Sequence, residues 1–278
     1  ISEEYKMSKI SLGAEVYTWF MKETGKAYEN QLGHMIEIIS QCGFSGVEPM
    51  HFWMGDLFDP VRLSEKLDEH NIKLAGVALC LEWNHPQETE QETKEADDVI
   101  ALLRHFPGAL LCTVQLPTSR DEIVQRRLNL VENVNAVSKR ASDAGINASF
   151  HPNSPETSTN RTAEDYDIIL NGLDSSVTGW TPDVGHIRNG EMDVLSKMKE
   201  FNSLINHIHY KDWDGNPEWS LMGEGEIDFE GITRWLVEQD FQGWILCEDE
   251  ADAAIEDPDG VTLHDSKYCK EKLIPIIS

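Results

Sequence analysis

The chain has 278 residues and carries a net charge of −27, with 50 Asp and Glu against 23 Lys and Arg. That acidity argues against a nucleic-acid backbone as partner, because phosphates are gripped by clustered Lys and Arg. No apolar run reaches the ~20 residues of a membrane helix, so no membrane partner is expected. The five cysteines, Cys42, Cys80, Cys112, Cys247 and Cys269, form no C-x-x-C pair. Their odd number and apolar settings read as reduced thiols of a cytoplasmic protein.

Strand-like and helix-like segments alternate from end to end. Residues 1–8 read as a polar tail or an expression remnant. Lys9 to Val16 is a predicted strand, and Tyr28 to Gln41 a helix with apolar residues at Leu32, Met35, Ile36 and Ile39, the spacing of one helical face. Cys42-Gly43 ends it. Gly46-Val47-Glu48 is a short strand, Asp59-Pro60 opens a helix to about His70, and Ile72 to Cys80 is the third strand. A helix over Glu90–Arg104, a strand over Ala109–Gln115, a long helix over Asp121–Ala144 and a strand over Ile146–Phe150 follow. The remaining strands are Ser176–Thr181, Leu204–Ile208 and Gly243–Cys247, with helices near Ala163–Leu170, Val194–Lys199, Phe229–Gln239 and Leu263–Ile277.

Eight strands alternating with eight helices predict an α/β protein, a single (β/α)8 barrel over residues 1–278. The rival, an open doubly wound sheet, calls for a Gly-rich phosphate loop after strand one, and the chain has Glu15-Val16-Tyr17-Thr18-Trp19 there. In such a barrel the site is built at the C-terminal strand ends. Those ends carry Tyr17 and Trp19; Glu48, His51 and Trp53; Glu82, Trp83 and His85; Gln115; His151 and Asn153; Asp183 and His186; His209, Lys211, Asp212 and Trp213; and Glu248 and Glu250. The N-terminal ends, such as Lys73, Asn147 and Gly243, lack this chemistry.

His151, Asp183, His209 and Glu248, on strands five to eight, make a first shell for one divalent metal. Imidazole with carboxylate suits Mn, Co, Zn or Fe, and Mg less well; Mn is the favoured choice. Glu250 competes with Glu248, since residues two apart on a strand share a face. Aromatic rims stack on the apolar faces of sugars, so a small-molecule carbohydrate is the expected partner. Trp19, Glu48, Trp53, His85, Gln115, Asn153, His186 and Trp213 are the candidate substrate contacts. Gly223-Glu224-Gly225-Glu226 is either a substrate-closing loop or a turn before a helix cap.

Five segments carry a family resemblance: Gly43-Phe44-Ser45-Gly46-Val47-Glu48, Thr181-Pro182-Asp183-Val184-Gly185-His186, His207-Ile208-His209-Tyr210-Lys211-Asp212, Gly223-Glu224-Gly225-Glu226-Ile227-Asp228-Phe229 and Cys247-Glu248-Asp249-Glu250. With them the chain resembles the xylose isomerase-like TIM barrel superfamily of sugar phosphate isomerases and epimerases. The resemblance implies a divalent metal on Asp183, His209, Glu248 and a strand-five residue, and a His186 that touches substrate oxygens. In the ketose 3-epimerases of this superfamily the strand-five ligand is Glu. The chain has His151 there, which is more similar to the inosose dehydratase branch and is compatible with lyases acting on 3-keto sugars.

The expected chemistry is α-proton abstraction from a keto-sugar or keto-polyol, through an enediolate stabilised by the metal. Glu248, His186 and Lys211 are the catalytic candidates, with His151 a further one. Reprotonation gives an isomerase or epimerase, the main expectation; loss of a β-hydroxyl gives a dehydratase or lyase. Lys211 is equally read as an ion-pair partner of Asp212 or Glu248. Two other classes are weaker expectations: an endonuclease-four-type nuclease, disfavoured by charge, and a non-catalytic sugar-binding subunit. The chain is expected to be a monomer or homo-oligomer, acting on an unphosphorylated substrate.

Overall fold

The computed structural model describes residues 9–21, 27–216 and 218–278, so the expected tail over residues 1–8 lies outside the described residues. Strand β1 (Lys9–Glu15) pairs in parallel with β2 (Gly46–Glu48) on one side and with β11 (Gln242–Cys247) on the other. The third barrel strand is split into β3 (Lys73–Leu74), on β2, and β4 (Gly76–Leu81), on β5 (Leu110–Gln115). Then β6 (Ala148–His151) pairs with β5 and β7 (Thr178–Trp180) with β6. Strand β8 (Ile208–Tyr210) pairs with β11. Isolated parallel bridges, Met50 to Ala78, Trp180 to Ile205 and Asp183 to His209, join the two sheets into a closed barrel.

Local chemistry explains the connecting helices. Helix Leu32–Cys42 buries Leu32, Met35, Ile36 and Ile39 and stops at Gly43, whose φ of +89° is the left-handed conformation that glycine adopts without a Cβ penalty. Helix Pro60–His70 begins on Asp59, whose carboxylate accepts from the amides of Val61 and Arg62. Capping boxes start Glu90–Leu103 (Thr89 with Glu92) and Ala163–Gly172 (Thr162 with Asp165). The long helix runs Ile123–Asp143, two residues later than expected at its start, because Glu122 sits at φ +53° outside the helix.

Several boundaries differ from the sequence expectation. Strand β8 begins at Ile208, because Asn202–Leu204 forms a 3-10 turn, so His209 lies within the strand. Asp183 caps a six-residue helix, Val184–Asn189, that periodicity did not announce. A small antiparallel hairpin, β9 (Asp212–Trp213) with β10 (Trp219–Ser220), stands on the rim after β8. The last helix begins at Pro258, capped by Asp257, and passes through a π turn at Cys269–Leu273. Among the described residues no helix is long and apolar enough to cross a membrane.

Candidate metal centre and substrate cavity

A cavity of about 360 Å³ opens at the C-terminal end of the barrel. Its polar side is formed by Glu15, Gln115, His151, Asn153, His186, His209, Glu218, Glu248 and Glu250. Tyr17, Phe20, Met50, Phe52, Leu116 and Trp219 form an apolar wall. No Arg or Lys is among the described residues of the lining.

The four expected ligands converge. One donor atom from each of His151, Asp183, His209 and Glu248 lies within 4.8 Å of the others, and all four residues are buried. His151 is the last residue of β6, and Glu248 follows β11 directly. Asp183 caps its helix through Oδ1, which accepts from the His186 amide at 2.9 Å. Its Oδ2, 3.5 Å from His151 Nε2, has no hydrogen bond, nor has either ring nitrogen of His151. Unpartnered buried polar atoms are costly, and Asp183 Oδ2 and His151 Nε2 lie together without partners. Two imidazoles and two carboxylates fit a borderline divalent cation.

Lys211 is the buried counter-charge, 1% exposed. Its Nζ donates to Glu248 Oε1 at 2.9 Å and to Glu250, lies 3.3 Å from Asp183 Oδ2, and approaches His186 Nε2 at 3.1 Å. It also stands 4.9 Å from the Trp219 ring centroid. Burial opposes its charge, but Asp183, Glu248 and Glu250 together hold the ammonium well above its ordinary range. Burial likewise opposes ionisation of Asp183 and Glu248, and Lys211 outweighs it, assisted by His186 at Asp183 and by His209 at Glu248; both carboxyls stay below the usual carboxylate range.

His186 is pushed down to about 3 by burial and by Lys211, so it stands as a neutral imidazole. Because Nε2 faces the ammonium, the ring proton falls on Nδ1, 2.8 Å from Ser154 Oγ. Glu250 is pushed up to about 8, by burial first and by Glu248 next, against the pull of Lys211. Glu15, at the end of β1, is raised well above the usual range by burial and by Glu248, and accepts from the Tyr17 amide.

Not every candidate reaches the cavity. Glu48 is 0% exposed, and its two oxygens accept from His207 and His209. Trp19 turns into the core, where its Nε1 donates to Asp259 at 2.7 Å. Trp53 backs the wall, its ring 5.1 Å from Phe20. His85 is exposed, and its carbonyl accepts from Asn133. Trp213 donates to Asn189 and lies under Arg188, outside the described lining. Gln115 does border the cavity, but its Oε1 accepts from Thr159 and Asn160 and its Nε2 donates to the Glu82 carbonyl, so it braces the loop that carries Asn153. Asn153 donates to the Gln115 carbonyl and keeps an unpartnered Oδ1.

Segment 223–226 is a turn pinned by the Asp212 carboxylate, which accepts from Gly223, Gly225 and Ile227 amides, and it is not part of the described lining. Asp212 is thereby occupied away from Lys211. Lining residues outside the substrate expectation include Glu15, Phe20, Phe52, Glu218 and Trp219. Glu15 had a visible signal, an acidic residue at a strand end. Phe52 and Trp219 had none beyond being aromatic.

Residues 36–272 match the family model described as xylose isomerase-like TIM barrel. An inosose dehydratase of Bacillus velezensis is 24% identical over 275 residues, covering 88% of this chain and 90% of that protein. Among solved structures, an IOLI protein with a bound zinc atom superposes with a TM-score of 0.75 at 16% identity, covering 96% of this chain and 98% of that one. An L-ribulose 3-epimerase gives 0.72 at 15% identity, covering 96% and 95%.

Proposed function

The chain belongs to the xylose isomerase-like TIM barrel family, and from that premise we propose that it is a divalent-metal-dependent enzyme that removes the α-proton of an unphosphorylated keto-polyol or keto-sugar and then expels the β-hydroxyl as water. The observation that carries this is the convergence of His151, Asp183, His209 and Glu248, with unpartnered atoms on His151 and Asp183, beside a cavity that also holds Glu250. A divalent cation on those four residues, Mn²⁺ as the favoured ion, supplies Lewis acidity toward the substrate's carbonyl oxygen.

The chain's own residues account for the proton traffic. Glu250 borders the cavity and is hydrogen-bonded to Lys211. As a carboxylate with an affinity for protons near neutral pH, it takes the α-proton, and the C–H electron pair becomes the C=C of the enediolate. The proton that Glu250 has taken passes to the departing β-hydroxyl, which leaves as water when the enediolate collapses, so the net change is substrate to dehydrated product plus water. Lys211, buried behind Glu250 and Glu248, holds the charge of the carboxylate that is regenerated. His186, neutral and braced by Ser154, presents an imidazole to the substrate's oxygens and carries no net proton. Asn153 Oδ1 accepts from a substrate hydroxyl, and the wall of Tyr17, Phe20 and Trp219 packs on the substrate's C–H face and excludes water. The absence of Arg and Lys from the described lining favours a substrate without phosphate.

Dehydration is preferred to epimerisation because the strand-five ligand is His151. A two-carboxylate exchange across the substrate then lacks one of its carboxylates. Isomerisation or epimerisation is the second reading. It is favoured by Glu15, a carboxyl at the cavity edge that burial and Glu248 raise well above the usual carboxylate range. Proton NMR in D₂O with Mn²⁺-loaded protein separates them. An inosose that loses its α-proton and yields a dehydrated diketone supports the first reading. Deuterium incorporation with an epimerised or isomerised ketose supports the second. If neither exchange nor turnover occurs across inososes, ketoses and 3-keto sugars, the proposed chemistry is wrong.

A further inference from the structure

We infer that Glu48 is a positioning residue that fixes the tautomer of His209, so that a lone pair and not a proton faces the metal centre. The inference rests on the metal reading above. Glu48 ends β2 and is 0% exposed. Its Oε1 lies 2.9 Å from His209 Nε2, and its Oε2 lies 2.9 Å from His207 Nε2. An ionised carboxylate only accepts, so each imidazole turns an N–H toward it. In the metal-free protein Nδ1 donates to Glu248 Oε2 at 2.9 Å, on the side where His151 and Asp183 converge. Where a cation takes the place of that Nδ1 proton, the proton that Glu48 holds on Nε2 leaves a neutral ring with its lone pair on Nδ1.

Without Glu48 the balance reverses. Glu248 is itself an acceptor, and a free imidazole placed beside it places its proton on Nδ1, between the two. The proton then blocks the nitrogen that a cation needs. Glu48 removes that choice by holding the proton on the opposite face of the ring. The arrangement orients a ligating histidine by hydrogen-bonding its other nitrogen.

The surroundings are shaped for this carboxylate. A Cβ on Gly76 would lie 2.5 Å from Glu48 Oε2 and 2.8 Å from the Leu110 carbonyl oxygen, so the strand is open where the carboxylate sits. His207 holds the second oxygen, and rotating Glu48 away would leave a buried acceptor unpaired. Glu48, His207 and His209 also offer donor atoms within 4.8 Å of one another. Both Glu48 contacts are at hydrogen-bond distance, and no atom of the trio is buried without a partner, in contrast to His151. The trio is therefore a support and not a second metal centre.

The test uses the full chain stripped of metal and titrated with Zn²⁺ by calorimetry, in wild type, Glu48→Gln and His151→Ala. The amide of Glu48→Gln keeps the shape but offers only one acceptor to two N–H groups. Zinc affinity is expected to fall about 10- to 100-fold in Glu48→Gln. Long-range ¹H–¹⁵N NMR of zinc-loaded wild type, which needs no variant to fold, is expected to show the His209 proton on Nε2. Zinc affinity within about twofold of wild type in folded Glu48→Gln overturns the inference while leaving the metal centre standing, provided His151→Ala has lost it. A His209 proton on Nδ1 in zinc-loaded wild type also overturns it. A wild type that takes up no zinc overturns the proposed function together with this inference.

Discussion

Lys211→Met is the most demanding perturbation of the site. It removes the ammonium that lies 2.9 Å from Glu248, 3.3 Å from Asp183 and in contact with Glu250, and puts an apolar side chain of similar length in its place. Breaking a buried ion pair from one side costs roughly 3–5 kcal/mol. At about 2–4 °C per kcal/mol for a chain of this size, the metal-free variant should melt roughly 6–20 °C below wild type. The deficit should depend on pH with a definite sign. With the ammonium gone, the buried carboxyls hold protons more tightly folded than unfolded, so protonation stabilises the variant and its deficit grows as pH rises. In wild type, Asp183 and Glu248 are held low by Lys211, a stability that is present above the usual carboxylate range and is lost as pH falls. Wild-type and variant melting curves, followed by circular dichroism in chelator, should therefore be well separated near about pH 8 and draw together only as pH falls below about 4, through the usual carboxylate range. Divalent cation should narrow the gap by supplying the missing positive charge. Equal melting of the two proteins at the higher pH, or a deficit that does not change with pH, would refute the account of Lys211 as the counter-charge of three carboxylates.

Four further outcomes follow from the same geometry. Metal at about 100 times its Kd should stabilise wild type by ~2.7 kcal/mol, read by thermal shift against chelator, and His151→Ala should show no such shift. Glu250→Gln should retain metal, measured by elemental analysis, but lose about 10²- to 10⁴-fold in kcat with KM little changed, as expected for loss of a general base. Asp165→Asn should destabilise by about 3 kcal/mol in chemical denaturation, because buried Arg127 and half-buried Arg120 both rest on that carboxylate. Gly76→Ala should lower metal affinity, measured by calorimetry, since its methyl group would displace Glu48.

The sequence announces this barrel because each strand is a short apolar run closed by a turn signal, and it announces the candidate metal ligands for a related reason. His151, Asp183, His209 and Glu248 are polar groups at the ends of apolar strands, where packing has no use for them. Direction is harder to read than position. Glu48 was expected to touch substrate, yet β2 is only three residues long, too short for alternation to say which way its last side chain points. Trp19 was expected on the rim, but the 3-10 turn over Val16–Trp19 swings it to Asp259, 240 residues away along the chain. Trp219 reaches the cavity through a hairpin of two-residue strands, with no periodic pattern to reveal it.

The boundary between what is legible and what is not has a physical cause. Beyond a strand end, the course of the chain is set by tertiary hydrogen bonds. Asp212 gathers the amides of Gly223, Gly225 and Ile227, and Gln115 holds Thr159 and Asn160. Those contacts join residues far apart in sequence and leave no local pattern. Local propensity therefore delivers the ionisable groups to one end of the barrel, and long-range polar contacts decide which of them face substrate and which stand behind. Glu248 and Glu250 show the division on a single loop. Both carboxylates reach Lys211, but only Glu248 also accepts from His209, and that one additional contact sets Glu248 apart as the candidate ligand and Glu250 as the candidate base.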